Sequence, residues 1–316
     1  MSTEAPQPSP DFALTAGDGS IAEATPAISQ EAASVDGTMP LNDKAKYTQK
    51  YERPLSAYEK ANADEIDPRC VPQTLTEPPP LGAAIEPPIY PERDQESWRF
   101  LFERQMDLLP GRAGEAFLEG VETLGLNADG IPHLRDLSAS LEAATGWQVA
   151  RIPGLLHERQ FFELLANRQF PSTDYIREPH ELDYTPAPDL FHDIFGHMPM
   201  LTQPAFADFY QLFGQAALNA EGQDRVSLER FHWFTVEFGL IQQAEGLRLF
   251  GAGIMSSASE VVHALGDEVT RYGFDPHRII HQDYDVWHLQ DVLFVVKSFD
   301  GLVDGFRGWA KGRGLL

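Results

Sequence analysis

Two imidazoles and one carboxylate are the donor set with which non-haem enzymes hold Fe(II) for O2 activation while leaving positions open on one face of the metal. The chain carries such a set inside two apolar runs. His192 and His197 stand in Pro188-Asp189-Leu190-Phe191-His192-Asp193-Ile194-Phe195-Gly196-His197-Met198-Pro199, and Glu237 sits in Trp233-Phe234-Thr235-Val236-Glu237-Phe238-Gly239-Leu240. A carboxylate buried without a partner is costly, and a cation beside it removes that cost. The histidine spacing needs a device. At about 3.6 residues per turn, positions i and i+5 lie about 140° apart around an α-helix, so an unbroken helix cannot aim both at one ion. Gly196 is expected to end the helix and let His197 swing back, and Pro199 agrees with a stop.

Other readings of the same residues stay open at this point. Two histidines near a helix end can cap it or pack in a core, and a lone glutamate can face water. A zinc hydrolase uses the same donors, but zincins put the second histidine at i+4 and a glutamate beside the first. Here the spacing is five and the neighbour is Asp193. A non-catalytic scaffold is the remaining class, and it gives no reason for three metal-type residues in apolar settings. His277, His281, Asp283, Asp285 and His288 form a second polar cluster, which reads as a solvated connection before the last helix. Gly251-Ala252-Gly253 begins like a dinucleotide loop, but Ser256 stands where the third glycine belongs. Cys70, the only cysteine, has no activating neighbour in view and reads as inert. His232 reads as a core residue or a neighbour of the ligands.

Helical periodicity dominates the elements that must position these groups. Helices are expected over Trp98–Leu109, Ala113–Leu126, Pro132–Ala144 and Glu158–Arg168, then over 188–196, 204–220, 227–245, 258–265 and 288–312. Trp147–Ile152 and Leu247–Phe250 read as short strands, and no alternation suggests a parallel sheet. The expected fold is mainly α. Residues 1–45, rich in Ala, Ser, Thr, Pro, Asp and Glu, read as a disordered acidic tail. Residues 46–316 read as one catalytic domain, with 46–93 a Pro-rich extended wrap.

The 316 residues allow a sizeable core. A net charge of −24 repels phosphate backbones and anionic membranes, so nucleic acid and membrane partners are not expected. No apolar run is long enough to span a bilayer, and Met1-Ser2-Thr3-Glu4 lacks the features of a secretory signal. With one cysteine, a reducing, cytoplasmic setting is expected; a monomer is the separate expectation for its assembly.

Several motifs in one order resemble the catalytic domain of the tetrahydropterin-dependent aromatic amino acid hydroxylases, bacterial phenylalanine 4-monooxygenases above all. They include Leu108-Leu109-Pro110-Gly111-Arg112-Ala113, Leu137-Ser138, Ala144-Thr145-Gly146-Trp147, Tyr184-Thr185-Pro186, the two ligand segments and Gly251–Ser257, across roughly Trp98 to Val295. The resemblance implies a helical basket with Fe(II) near its floor, a tetrahydropterin and O2 as co-substrate. It implies oxidation of L-phenylalanine to L-tyrosine, with tryptophan or the meta position of phenylalanine as alternatives. On the family pattern, His192, His197 and Glu237 are the iron ligands. Arg177 pairs with the substrate carboxylate, for which a guanidinium offers a two-pronged match, and Asp189 holds it. Thr185 and Ser256 are polar groups of the amino acid site, and Pro188 and Trp233 its apolar walls. Gly154, Leu155, Leu156 and Phe161 match the pterin segment, with Phe161 stacking on the ring. Two departures stand out. Asp193 replaces a common glutamate, so a contact to pterin would pass through water. His232 replaces a common tyrosine.

Overall fold

The computed structural model describes residue 69 and residues 72–86, 88–183, 185, 187–286 and 288–316. The expected tail at 1–45, most of the extended wrap, Cys70, and Tyr184 and Pro186 of one motif lie outside the described residues.

Helix α1 (Glu92–Leu108) buries Trp98, Leu101, Phe102 and Gln105, an i, i+3, i+4, i+7 stripe. Glu92 and Asp94 in its first turn suit the positive end of the helix dipole. Then come α2 (Glu115–Thr123) and α3 (Leu134–Thr145). Gly146 closes α3 at φ 75°, a left-handed conformation that favours glycine. Strand β1 (Gln148–Arg151), helix α4 (Glu158–Ala166) and strand β2 (Gln169–Ser172) make a small βαβ unit with its strands parallel.

The centre of the fold follows. A π-helical turn (His192–His197) runs directly into α5 (Met198–Leu201) and then α6 (Pro204–Leu218). Helix α7 (Gly222–Phe231) passes into a second π-turn (His232–Glu237) and then into β3 (Gly239–Gln243). Strand β4 (Gly246–Leu249), helices α8 (Ala252–Met255) and α9 (Ala258–His263), β5 (Thr270–Gly273), α10 (Pro276–Ile279), β6 (Val292–Val296) and α11 (Phe299–Gly312) complete the chain. The second sheet has the order β4-β3-β6-β5. Helix α6 is the hub of the core. Its Phe206, Phe209, Tyr210 and Phe213 are buried, and Phe306 of α11 packs edge-on against Phe209 at 5.4 Å.

The mainly helical architecture matches the expectation, and four local readings need correction. The helix expected over 227–245 is α7, a π-turn and a strand. The helix expected over 288–312 is β6 followed by α11. Val292-Leu-Phe-Val-Val296 is a short, almost wholly buried apolar run, which periodicity cannot tell from a helix segment. Strands β2 and β5 lie outside the expected strands, and parallel pairing exists after all: β1 with β2, and β6 with both β3 and β5. Finally, the helix carrying the histidines does not stop at Gly196.

Candidate metal centre

The wide π-turn, not a helix stop, brings His192 and His197 to one side. An i→i+5 hydrogen-bonded turn holds more residues than an α-turn, so positions five apart come round toward the same face. Gly196 serves the packing instead. A Cβ there would lie 2.9 Å from the Ala252 carbonyl oxygen, so glycine lets α8 pack against the turn. The second π-turn repeats the device and ends on Glu237, with the Phe238 N–H donating to the Trp233 carbonyl at 2.9 Å.

The two turns converge. His192 Nε2 and His197 Nε2 are 3.0 Å apart. Glu237 Oε1 lies 3.3 Å from His197 Nε2, and Oε2 lies 3.6 Å from His192 Nε2. Two nitrogens bound at about 2.1 Å and at right angles around one ion are about 3.0 Å apart, so the donor set fits a single small cation. Among the described residues no other group of three such side chains comes together in this way. The cluster of His277, His281, Asp283, Asp285 and His288 does not: Asp283 pairs with Arg230, and Asp285 with His288.

Burial pushes His192 down to about 4 and His197 to about 3, so both rings are neutral and offer lone pairs. Ser256 decides which nitrogen of His192 does so. Its hydroxyl donates to the Ala252 carbonyl at 2.8 Å, so its oxygen accepts the Nδ1–H of His192 at 2.9 Å. Nε2 is left unprotonated and turned toward the cluster.

These donors line a cavity of about 530 Å³, within the usual range for small-molecule sites. Leu155, Leu156, Phe161, Arg177, Thr185, Pro188, Asp193, Trp233 and Ser256 also line it. Gly154 and Asp189 do not. Gly154 is buried beside Gln73, whose N–H donates to the Leu155 carbonyl at 2.8 Å. Asp189 lies behind Arg177 and accepts from its Nε at 2.9 Å and its Nη2 at 2.8 Å. Asp189 also accepts the backbone N–H groups of Arg177 and His192, tying the cation to the first ligand segment. Burial works against the Arg177 charge, but Asp189 outweighs it and holds the guanidinium above its ordinary range. Nη1 takes no part in that pairing.

Trp233 is clamped between Tyr284 (centroids 4.5 Å apart) and Phe238 (4.6 Å), and its indole N–H donates to Gln290 Oε1 at 2.8 Å. The Thr185 hydroxyl donates to the Ala187 carbonyl at 3.1 Å. Asp193 Oδ2 accepts the Thr173 N–H at 2.8 Å, and burial raises its carboxyl to about 8.

The sequence pattern does not point to Gln290, Tyr210 or Glu260, and it assigns Ser256 only to the amino acid site. Gln290 is 57 residues from Trp233, and no local pattern announces the contact. His232 does carry a signal. It precedes Glu237 by the same five residues that separate His192 from His197.

Known proteins resemble the chain along this same stretch. The model of a family described as biopterin-dependent aromatic amino acid hydroxylase matches residues 81–313. A phenylalanine-4-hydroxylase of Ralstonia nicotianae is 47% identical over 227 residues, covering 71% of this chain and 72% of that one. A crystal structure of the Chromobacterium violaceum phenylalanine hydroxylase with bound iron(III) and oxidised cofactor 7,8-dihydrobiopterin superposes with a TM-score of 0.68 at 44% identity, covering 71% and 82% of the two chains. An iron- and phenylalanine-bound structure of the enzyme from the same organism has a TM-score of 0.66 at 42% identity, covering 71% and 84%.

Proposed function

The chain belongs to the biopterin-dependent aromatic amino acid hydroxylases, and from that premise we propose that it hydroxylates L-phenylalanine to L-tyrosine with O2, Fe(II) and a tetrahydropterin. The observation that carries the reading is the convergence of His192, His197 and Glu237, with ligand atoms within 4.8 Å of one another, in the wall of a cavity that also holds the buried Arg177. When bound, the iron and the pterin supply the reductive activation of O2 that delivers one oxygen atom to the ring.

The protein's part is placement. His192, His197 and Glu237 hold the metal, and Ser256 keeps the His192 proton on Nδ1. Arg177 offers the substrate carboxylate the edge of its fork that Asp189 leaves unused. Trp233 and Pro188 wall the aromatic ring, with Thr185 at the polar end. Leu155, Leu156 and Phe161 receive the pterin, and Gly154 shapes their segment from behind. Apolar walls keep water from the reacting groups. A hydrolase would need a base beside the metal. Asp193 is a poor one, because a backbone N–H already occupies Oδ2 and burial favours its neutral form.

Residues 46–316 are taken as one catalytic domain, cytoplasmic and monomeric, acting on a small amino acid; size-exclusion chromatography with light scattering tests the monomer. The test of function is anaerobic reconstitution with Fe(II) and tetrahydropterin, followed by O2 and each aromatic amino acid in turn. Tyrosine from phenylalanine is expected, with pterin oxidised in step. Iron-loaded protein that leaves phenylalanine unchanged, or yields the meta product, refutes the assignment.

A further inference from the structure

The second π-turn presents a pair of its own. His232 and Glu237 are its first and last residues, and His232 Nδ1 faces Glu237 Oε1 at 3.6 Å. His232 is 4% exposed, and its Nδ1 has no hydrogen-bond partner although it is shut off from solvent. A buried polar atom without a partner needs a reason. The other ring nitrogen supplies a clue: Nε2 lies 2.9 Å from the Tyr210 hydroxyl.

Two proton arrangements satisfy that contact. In one, the imidazole Nε2–H donates to the phenol oxygen, and the Nδ1 lone pair then faces a carboxylate oxygen, which is repulsive. In the other, the phenol O–H donates to Nε2, the ring proton sits on Nδ1, and N–H points at Oε1. The second arrangement is the attractive one. Burial keeps Tyr210 a neutral phenol, able to donate. The imidazole has little freedom to turn away, since Phe213 (centroids 5.4 Å), Tyr210 (5.7 Å) and Phe161 (5.9 Å) surround it. The separation of 3.6 Å is longer than a hydrogen bond but within reach of a small rotation of the carboxylate.

We infer that His232 is a positioning residue for the carboxylate ligand: Tyr210 sets its tautomer, and its Nδ1–H restrains Glu237 Oε1 so that Glu237 meets the metal through a single oxygen. The three-residue line Tyr210–His232–Glu237 does for the carboxylate what Ser256 does for His192. Restraining one oxygen keeps a metal position open for the reaction. This inference rests on His192, His197 and Glu237 holding iron.

The experiment uses the full chain loaded with Fe(II) without oxygen. It measures iron affinity by competition with a chelator and the coordination shell by X-ray absorption. Circular dichroism and melting establish that each variant is folded. His232→Phe keeps a ring and removes both nitrogens. His232→Leu and His232→Asn have similar shapes, and only Asn carries an N–H where Nδ1 stood. The expected result is iron affinity about tenfold or more weaker in the Phe and Leu variants, with an added oxygen neighbour at the metal, and both changes reversed toward the parent in Asn. If His232→Phe does not fold, the Leu and Asn pair decides the matter. An affinity and shell unchanged in the Leu variant, or lost equally in Leu and Asn, overturns the inference while the parent still binds iron. A parent that binds no iron overturns the metal assignment itself, and this inference with it.

Discussion

Asp189→Ala should destabilise the protein by about 3–5 kcal/mol, the usual cost of stranding one member of a buried ion pair. Asp189 is fully buried, and the Arg177 side chain is 5% exposed. The carboxylate accepts four hydrogen bonds: Arg177 N at 2.8 Å, Nε at 2.9 Å and Nη2 at 2.8 Å, and His192 N at 3.0 Å. Removing it leaves a guanidinium and two backbone donors without an acceptor where water barely reaches. Urea unfolding at neutral pH, read as the shift in midpoint at constant slope, measures the loss. Two comparisons sharpen the result. Replacing both partners with apolar residues, Arg177→Met with Asp189→Leu, should cost much less than Asp189→Ala, because no lone charge remains. The sign of the pH dependence follows from Asp189. Burial raises its carboxyl, but Arg177 outweighs this and holds it below its ordinary value. Its contribution is therefore fully present above the unfolded value of about 3.9 and is lost as pH falls through the lower folded value. The gap between parent and Asp189→Asn should stay constant near neutrality and close on acidification. A gap below about 1 kcal/mol at neutral pH, or one that widens toward acid, refutes the reasoning.

Ser256→Ala frees the His192 tautomer and should weaken Fe(II) binding about 10–100-fold, with the melting temperature of the metal-free protein little changed; chelator competition that finds parental affinity counts against the role. Gly251→Ala places a Cβ 2.4 Å from the Glu237 carbonyl oxygen, so it should cost about 1–3 kcal/mol and reduce iron retention together, and a variant with parental stability would contradict the packing. Glu260, buried with Oε2 unpartnered, is raised to about 8 by burial. A raised carboxyl costs nothing below its unfolded value of about 4.3, and the cost grows as pH climbs to the folded value. Glu260→Gln should thus match the parent near pH 4 and exceed it by a few kcal/mol, to order of magnitude, above about pH 8, and a gain independent of pH would show that Glu260 is not the group responsible. Arg177→Lys keeps the charge but loses the fork, so the phenylalanine KM should rise about tenfold or more while the pterin KM changes little; an unaltered phenylalanine KM removes Arg177 from the amino acid site.

The donor set was legible because its members are the wrong residue types for where they sit. Histidine and glutamate inside runs such as Phe191–Phe195 and Trp233–Leu240 are costly unless something pairs with them, and that cost is local. Helix α3 and the part of α1 from Trp98 onward were legible for the same reason: the apolar stripe of each, and the glycine stop of α3, lie within one segment, whereas residues 92–97 of α1 were not read as helix. The π-turns were not. Whether a turn closes at i+4 or i+5 changes little in the residues themselves. The choice depends on what packs against the turn, as Ala252 does against Gly196. Strand β6 was unreadable because an apolar run of five suits a strand or a buried helix equally well until β3 and β5 pair with it.

By itself, then, the chain's order of residues determined which chemistry was possible, two imidazoles and a carboxylate in apolar runs, together with the helices that carry most of the core; Arg177 was marked only by the family resemblance. Tertiary structure alone decided how those groups meet. Ser256 orients His192 across 64 residues of chain, Gln290 steadies Trp233 across 57, and Tyr210 addresses His232 across 22. Contacts at such separations exist only after the backbone has folded, because the energy that selects them comes from burying both partners at once.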